Sequence, residues 1–265
     1  MNESMVLLSP QDLALASGLV LALAALSWRL RLQIHGQLLV AALRTVIQLS
    51  LVGLVLKALF NDLHPAFLIP VSLLMLLAAG REVIARQSQR IQGGFVIGGA
   101  AMFVSSFSIT LLALLVVVQP SPWYQPQYAI PLLGMMLGNT MTGITVGMER
   151  LSSSLKRERD VIEQRLMLGE SAQAALQKPL REAARAGMIP IINSMAAAGI
   201  VSLPGMMTGQ ILAGSPPLAA VSYQILIMFM VSSGTGFGTL LALRLSSRRL
   251  FDERDRLRLD RLSEA

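Results

Sequence analysis

Seven long apolar stretches punctuate this sequence, and they decide what the chain can become. They cover residues 10–28, 36–60, 65–80, 95–118, 128–148, 183–203 and 218–243, most of them near the ~20 residues that a membrane-spanning helix needs. Polar and apolar residues do not alternate along them, which argues against a barrel. In lipid, the helix is then the way left to satisfy every backbone group. Of 265 residues, 54% are hydrophobic and 14% charged, whereas a soluble domain carries about 25% charged residues. So few charges cannot cover an aqueous surface of that size. The expected fold is an all-α integral membrane protein of about seven transmembrane helices, one membrane domain over residues 1–265.

The connections between the stretches set the orientation. Arg29 and Arg31 follow the first stretch, and Arg81, Arg86 and Arg90 follow the third. Eight basic residues from Arg150 to Arg185 follow the fifth, and seven from Arg244 to Arg261 follow the seventh. The alternate connections, 61–64, 119–127 and 204–217, hold no lysine or arginine. Basic loops stay in the cytoplasm, so the N-terminus is expected outside and the C-terminus inside, which an odd number of spans requires. Trp123, Tyr124 and Tyr128 suit an outer interfacial belt. The net charge of +7 is thereby read as membrane flanks rather than a nucleic-acid footprint. Residues 1–10 hold no positive charge ahead of an apolar core, unlike a cleaved signal peptide. Cysteine is absent, which excludes disulfides and thiolate metal sites.

Residues 149–185 form the longest cytoplasmic segment. Leu151, Leu155, Ile162 and Leu166 recur at helical spacing among charges. Gly169 is placed to stop that helix and Ser171 to cap a second one, with Pro179 opening or kinking a later turn. The segment reads as a helix–turn–helix elbow, a docking surface, or else as a solvated loop. The charged tail, 246–265, reads as a helix lying on the anionic inner leaflet or as a partner contact.

Few residues could carry chemistry. Arg44 and Gln48 share one face of the second span. Arg44 lies about eight residues from the cytoplasmic end, roughly 12 Å deep at the helical rise, where it either lines a pathway or snorkels to the headgroups. Lys57, near the outer end, snorkels. In the fifth span, Gly134/Gly138 and Gly143/Gly147 are small-xxx-small pairs suited to close helix packing. Asn139 is a mid-membrane amide that either bonds between helices or lines a water-filled path. After the sixth span, Pro204-Gly205 breaks the helix, and 206–213 is long enough only for a short re-entrant or interfacial helix. Met206 and Met207, like Met135 and Met136, are gap-filling thioethers or a weak soft-metal site. No G-x-x-x-x-G-K-[ST] phosphate loop occurs. Gly234-Thr235-Gly236-Phe237-Gly238 falls in a membrane run, and His35 and His64 fall at opposite membrane faces. No catalytic set is evident.

The run Ala198-Gly199-Ile200-Val201-Ser202-Leu203-Pro204-Gly205-Met206-Met207-Thr208-Gly209, followed by Tyr223-Gln224-Ile225, resembles the signature of the Fet-type iron export permease family. Arg44-x-x-x-Gln48-Leu49, Gly134-Met135-Met136-x-Gly138-Asn139 and Leu168-Gly169 are similar as well, so the resemblance covers nearly the whole chain. It implies a multi-pass protein of the bacterial inner membrane, working as a homodimer with two copies of a separate ABC ATPase. That partner would hold ATP and magnesium, with no cofactor on this chain. The implied activity is iron export, contributing to metal homeostasis and resistance to oxidative stress. The implied roles are a pathway lined by Arg44, Gln48 and Asn139, and an outer gate of Pro204, Gly205, Met206, Met207 and Gly209. The elbow of Leu168, Gly169, Ser171 and Leu176 would be coupled to the ATPase. The chain departs from the family pattern at Asn193 and Ala196, where many relatives carry an acid and a lysine. Export of another metal or of a nucleotide-sugar, and secondary transport without an ATPase, are the alternatives.

Overall fold

The structure, a computed structural model, describes residues 9–61, 67–252 and 254–264. The segment through residue 8, the connection holding His64 and the start of the third apolar stretch at Pro65 lie outside the described residues. The chain divides into two compact units, residues 1–64 with 212–214 and residues 65–211 with 215–265.

The first unit is a helical hairpin. Helix α1 (Pro10–Arg29) starts at a capping box, in which the Ser9 hydroxyl accepts from the Asp12 N–H and the Asp12 carboxylate accepts from the Ser9 N–H. That reciprocal pair satisfies two end groups that a helix leaves open. Helix α2 (His35–Asn61) returns after a short turn closed by Leu32 N–H to Ser27 O, 3.0 Å. The apolar side chains of both helices are largely exposed, as lipid-facing residues are.

In the second unit, α3 (Leu68–Ala85) leads through β1 (Gln89–Ile91) into α4 (Gly94–Val118). Two stretches of α4, Phe103–Phe107 and Ala113–Val118, are wound as π-helix. Helix α5 (Pro126–Arg157) is followed by α6 (Arg159–Met167), α7 (Ala172–Ala197), the short α8 (Gly205–Leu212) and α9 (Pro217–Arg249). A 3₁₀ turn, Leu259–Arg261, precedes β2 (Leu262–Glu264), which pairs antiparallel with β1.

Among the described residues, six helices are long and apolar enough to cross a membrane: α1 through α5, and α9. Helix α7 is not among them, because Lys178, Arg181, Glu182 and Arg185 charge its middle turns. The sixth apolar stretch also ends earlier than expected. Its helix stops at Ala197, and Ala198 is already extended. Gly199 turns the chain at φ +85°, a backbone state that suits glycine, and its N–H donates to Ser202 O at 2.9 Å. The break therefore precedes Pro204-Gly205 instead of falling on it. Pro179 and Pro190, by contrast, lie inside α7 without ending it.

Two further expectations change. The segment after the fifth span is not one helix to Gly169, since it breaks at Glu158 between α5 and α6. The tail is not a helix on the leaflet. The Asp252 carboxylate accepts the N–H groups of Arg254 and Arg256 at 3.0 and 2.9 Å and closes a turn. Leu250 and Phe251 are buried there. The chain then folds back as β2, in register Gln89↔Glu264, Arg90↔Ser263, Ile91↔Leu262.

Leu151, Leu155 and Ile162, picked out by their spacing, sit in the main core with Val83, Met102, Ile144, Met148, Leu176 and Leu250. From the elbow, Ala175 and Leu176 belong to this same cluster, and Leu166 and Ala172 pack against it.

Candidate functional site

Three helices meet with almost no side-chain volume between them. A Cβ on Gly143 of α5 would stand 2.6 Å from Thr239 Oγ1 of α9, and one on Gly187 of α7 would stand 2.6 Å from Gly143 O. One turn on, a Cβ on Gly147 would lie 3.4 Å from Ala183 O, so α5 and α7 run antiparallel. The Gly143/Gly147 pair thus packs helices as its spacing suggested. Gly134 faces Met75, but Gly138 meets nothing within 4 Å. Gly187 was not singled out in the sequence, because no second small residue stands four positions on in either direction except Ala183 among other alanines.

The open face of α5 is polar. Gly138, Asn139 and Thr142 are exposed there. The Asn139 side-chain amide donates to Met135 O at 2.8 Å and the Thr142 hydroxyl to Gly138 O at 3.0 Å. Their own helix takes one Asn139 N–H and the Thr142 O–H, while the second Asn139 N–H can still donate and both side-chain oxygens can still accept. With Gly143 beside Gly187 and α7 antiparallel, Asn139 is level with residue 191, and exposed Asn193 lies only ~3 Å further along. The structure thus brings Asn193 to the height of Asn139. Sequence spacing could not show this, because the two residues sit on helices separated by the whole elbow. Arg44 and Gln48 lie one turn apart on α2 in the first unit, and both are exposed.

Toward the other end of α5, Met206 of α8 shares a cavity of about 180 Å³ with Met135, Gln127, Gln210 and Tyr223. The Gln210 side-chain oxygen is buried with no hydrogen-bond donor among the described residues. Met207 does not line this cavity, and Gly205 and Gly209 meet nothing within 4 Å. Pro204 accepts from the Thr208 N–H at 3.0 Å and so starts α8. Among the described residues, no three His, Asp or Glu side chains are placed to share a metal ion.

The elbow is braced on every side but its tip. Helix α6 ends in a Schellman arrangement: Glu170 N–H donates to Arg165 O and Gly169 N–H to Leu166 O, with Gly169 at φ +91°. Ser171 Oγ then accepts from Ala174 N–H and caps α7. Arg165 pairs with Glu170 at 2.6 Å and donates to Ala175 O at 3.1 Å. Further back, Arg150 pairs with Glu182 at 2.7 Å. Its guanidinium hydrogen bond, chiefly, holds the Glu182 carboxyl below the usual range. From the tail, Asp255 accepts from the Ala172 N–H at 3.4 Å. At the tip Met167 and Leu168 are 79% and 85% exposed. Leu176, expected to touch a partner, is instead 2% exposed. It supports the elbow from inside, at the floor of a cavity of about 480 Å³ that Gln173, Arg244, Asp252 and Asp255 also line.

The sequence profile of an uncharacterised protein family, UPF0014, matches residues 10–251. The chain belongs to the UPF0014 family. A UPF0014 membrane protein of Synechocystis is 38% identical over 261 residues, covering 97% of this chain and 99% of the relative. The probable iron export permease protein FetB of Escherichia coli is 32% identical over 254 residues, 96% of each chain. Protein ALUMINUM SENSITIVE 3 of Arabidopsis thaliana is 33% identical over 218 residues, 82% of this chain and 78% of the relative. No solved structure matches. This UPF0014 member is a multi-pass membrane protein, by its family and by its six long apolar helices.

Proposed function

We propose that the chain is the membrane-spanning permease of an ABC exporter, working as a homodimer in the bacterial inner membrane and driven by a separate ATPase. The observation that carries the proposal is the elbow. An ATP-driven chain without a phosphate loop takes its energy through a contact with its ATPase, and here an internally braced turn presents two bare apolar side chains, Met167 and Leu168. Helix α7 serves as the seventh span, which sets the N-terminus outside and the elbow and tail inside. Packed antiparallel along α5 through Gly187, it ends level with residue 133, and α8 follows near the outer face. The exposed Gly138–Asn139–Thr142 face, costly against lipid, meets the second copy and lines the pathway, and Arg44 and Gln48 of α2 are separate pathway candidates. Pro204 through Gly209 form the outer gate. Iron is the proposed cargo, following the printed name of one relative. Asn193 and Ala196 favour a second reading, another solute, because they leave this exposed face uncharged.

Reconstitution in vesicles tests the proposal. With the ATPase present, iron should move only when ATP is supplied, and the chain alone should move none. Transport by the chain alone under an ion gradient would refute the ATPase-driven reading.

A further inference from the structure

At the basic end of the second unit, α4 and α9 leave an open groove of about 380 Å³. Its walls are Val96, Ile97 and Ala100 of α4 and Leu245 of α9, and its rim is Arg248 and Arg249. Both arginines are exposed, and among the described residues neither has a carboxylate within 4.0 Å. Of the described tail acids, Asp252 pairs with Arg256 and Asp260 with Arg258, each at 2.8 Å, while Asp255 accepts from the Ala172 N–H at 3.4 Å and lines, with Arg248, the separate cavity beside α7. Helix α4 begins beside the groove at Gly93, which offers no side-chain cap, so the positive end of its dipole is also unopposed.

We propose that this groove is a binding site for one anionic phospholipid, with an acyl chain along Val96, Ile97, Ala100 and Leu245 and the headgroup phosphate on Arg248 and Arg249. Charge complementarity selects the occupant. Both walls belong to helices apolar enough to span the bilayer, so an acyl chain is the solvent there. Two guanidiniums at the headgroup level, with no carboxylate within 4.0 Å among the described residues, distinguish an anionic lipid from a zwitterionic one. The two walls are also tied to each other in advance. Arg261 of the tail donates to Arg249 O at 2.6 Å on one wall and accepts from Gln92 N–H at 2.8 Å just before the other.

Native mass spectrometry of the full-length protein, with phosphatidylglycerol or phosphatidylcholine added to the detergent, reads this directly. The wild type should retain one phosphatidylglycerol per chain in preference to phosphatidylcholine. Replacing both rim arginines, Arg248→Gln with Arg249→Gln, should weaken that retention by about thirtyfold, at about fivefold for each arginine near a headgroup. Ala100→Phe, which fills the acyl channel and keeps the charge, should also lower it. Arg159→Gln with Arg181→Gln, removing equal charge from the elbow segment, should not. Equal retention of the two lipids by the wild type would overturn the proposal, as would equal losses in the rim and elbow variants. The wild-type comparison decides even if a variant fails to fold.

Discussion

Single residues divide here into those that hold the fold and those left open for function. Gly187→Ala would place a methyl group 2.6 Å from Gly143 O, where only backbone movement relieves the clash. Thermal unfolding of the detergent-purified protein should register a loss of about 1–3 kcal/mol. Gly138→Ala, with open space around it, should leave stability within about 0.5 kcal/mol. A transport defect in Gly138→Ala would then place that face at the second copy or the pathway. Asp252 carries a pH prediction. The Arg256 N–H, with the Arg256 guanidinium and the Arg254 N–H, pushes its carboxyl down to about 2. A depressed carboxylate stabilises the fold above its ordinary value of about 3.9, and that contribution is lost as pH falls from there through the folded value. Protection of the 254–264 amides against hydrogen exchange, taken relative to the intrinsic rate at each pH, should therefore fall between about pH 4 and pH 2, and Asp252→Asn should lower it already at neutral pH. Unchanged protection in both cases would remove the turn from the account.

At the scale of elements, the elbow is where sequence and structure agree best. Gly169, Ser171 and the buried stripe of Leu151, Leu155 and Ile162 were legible because helix caps and helical periodicity are local. The break at Glu158 was not, since no glycine or proline marks it. Leu176 enters the elbow set only through the family resemblance, which names a segment and does not say which of its side chains are buried. Gly199 pre-empted Pro204-Gly205 as the end of α7, and no local signal ranks one glycine above the other. The tail was misread for a different reason. Its strand partner, β1, lies more than 170 residues earlier, and such a pairing leaves no periodic trace in three-residue strands. One prediction belongs to this scale. Gly169→Arg forces a side chain into φ +91° and should uncouple ATP hydrolysis from transport while membrane insertion persists. Gly169→Asn, which tolerates that backbone state, should retain coupling. Normal coupling in the arginine variant, read as transport per ATP hydrolysed, would separate the elbow from the energy source.

For the whole molecule, hydropathy and the basic connections made the membrane class and most spans readable from the sequence alone. The site was less legible, because Asn139 and Asn193 come to one level only through the Gly143–Gly187 crossing. The central claim is that the elbow faces the cytoplasm, where an ATPase can reach it. As the chain has no cysteine, Leu168→Cys gives a single reactive thiol at the exposed tip. The deciding measurement is its labelling by a membrane-impermeant maleimide in intact cells and in inverted vesicles. The account predicts labelling in inverted vesicles and none in intact cells, and labelling in intact cells would contradict it.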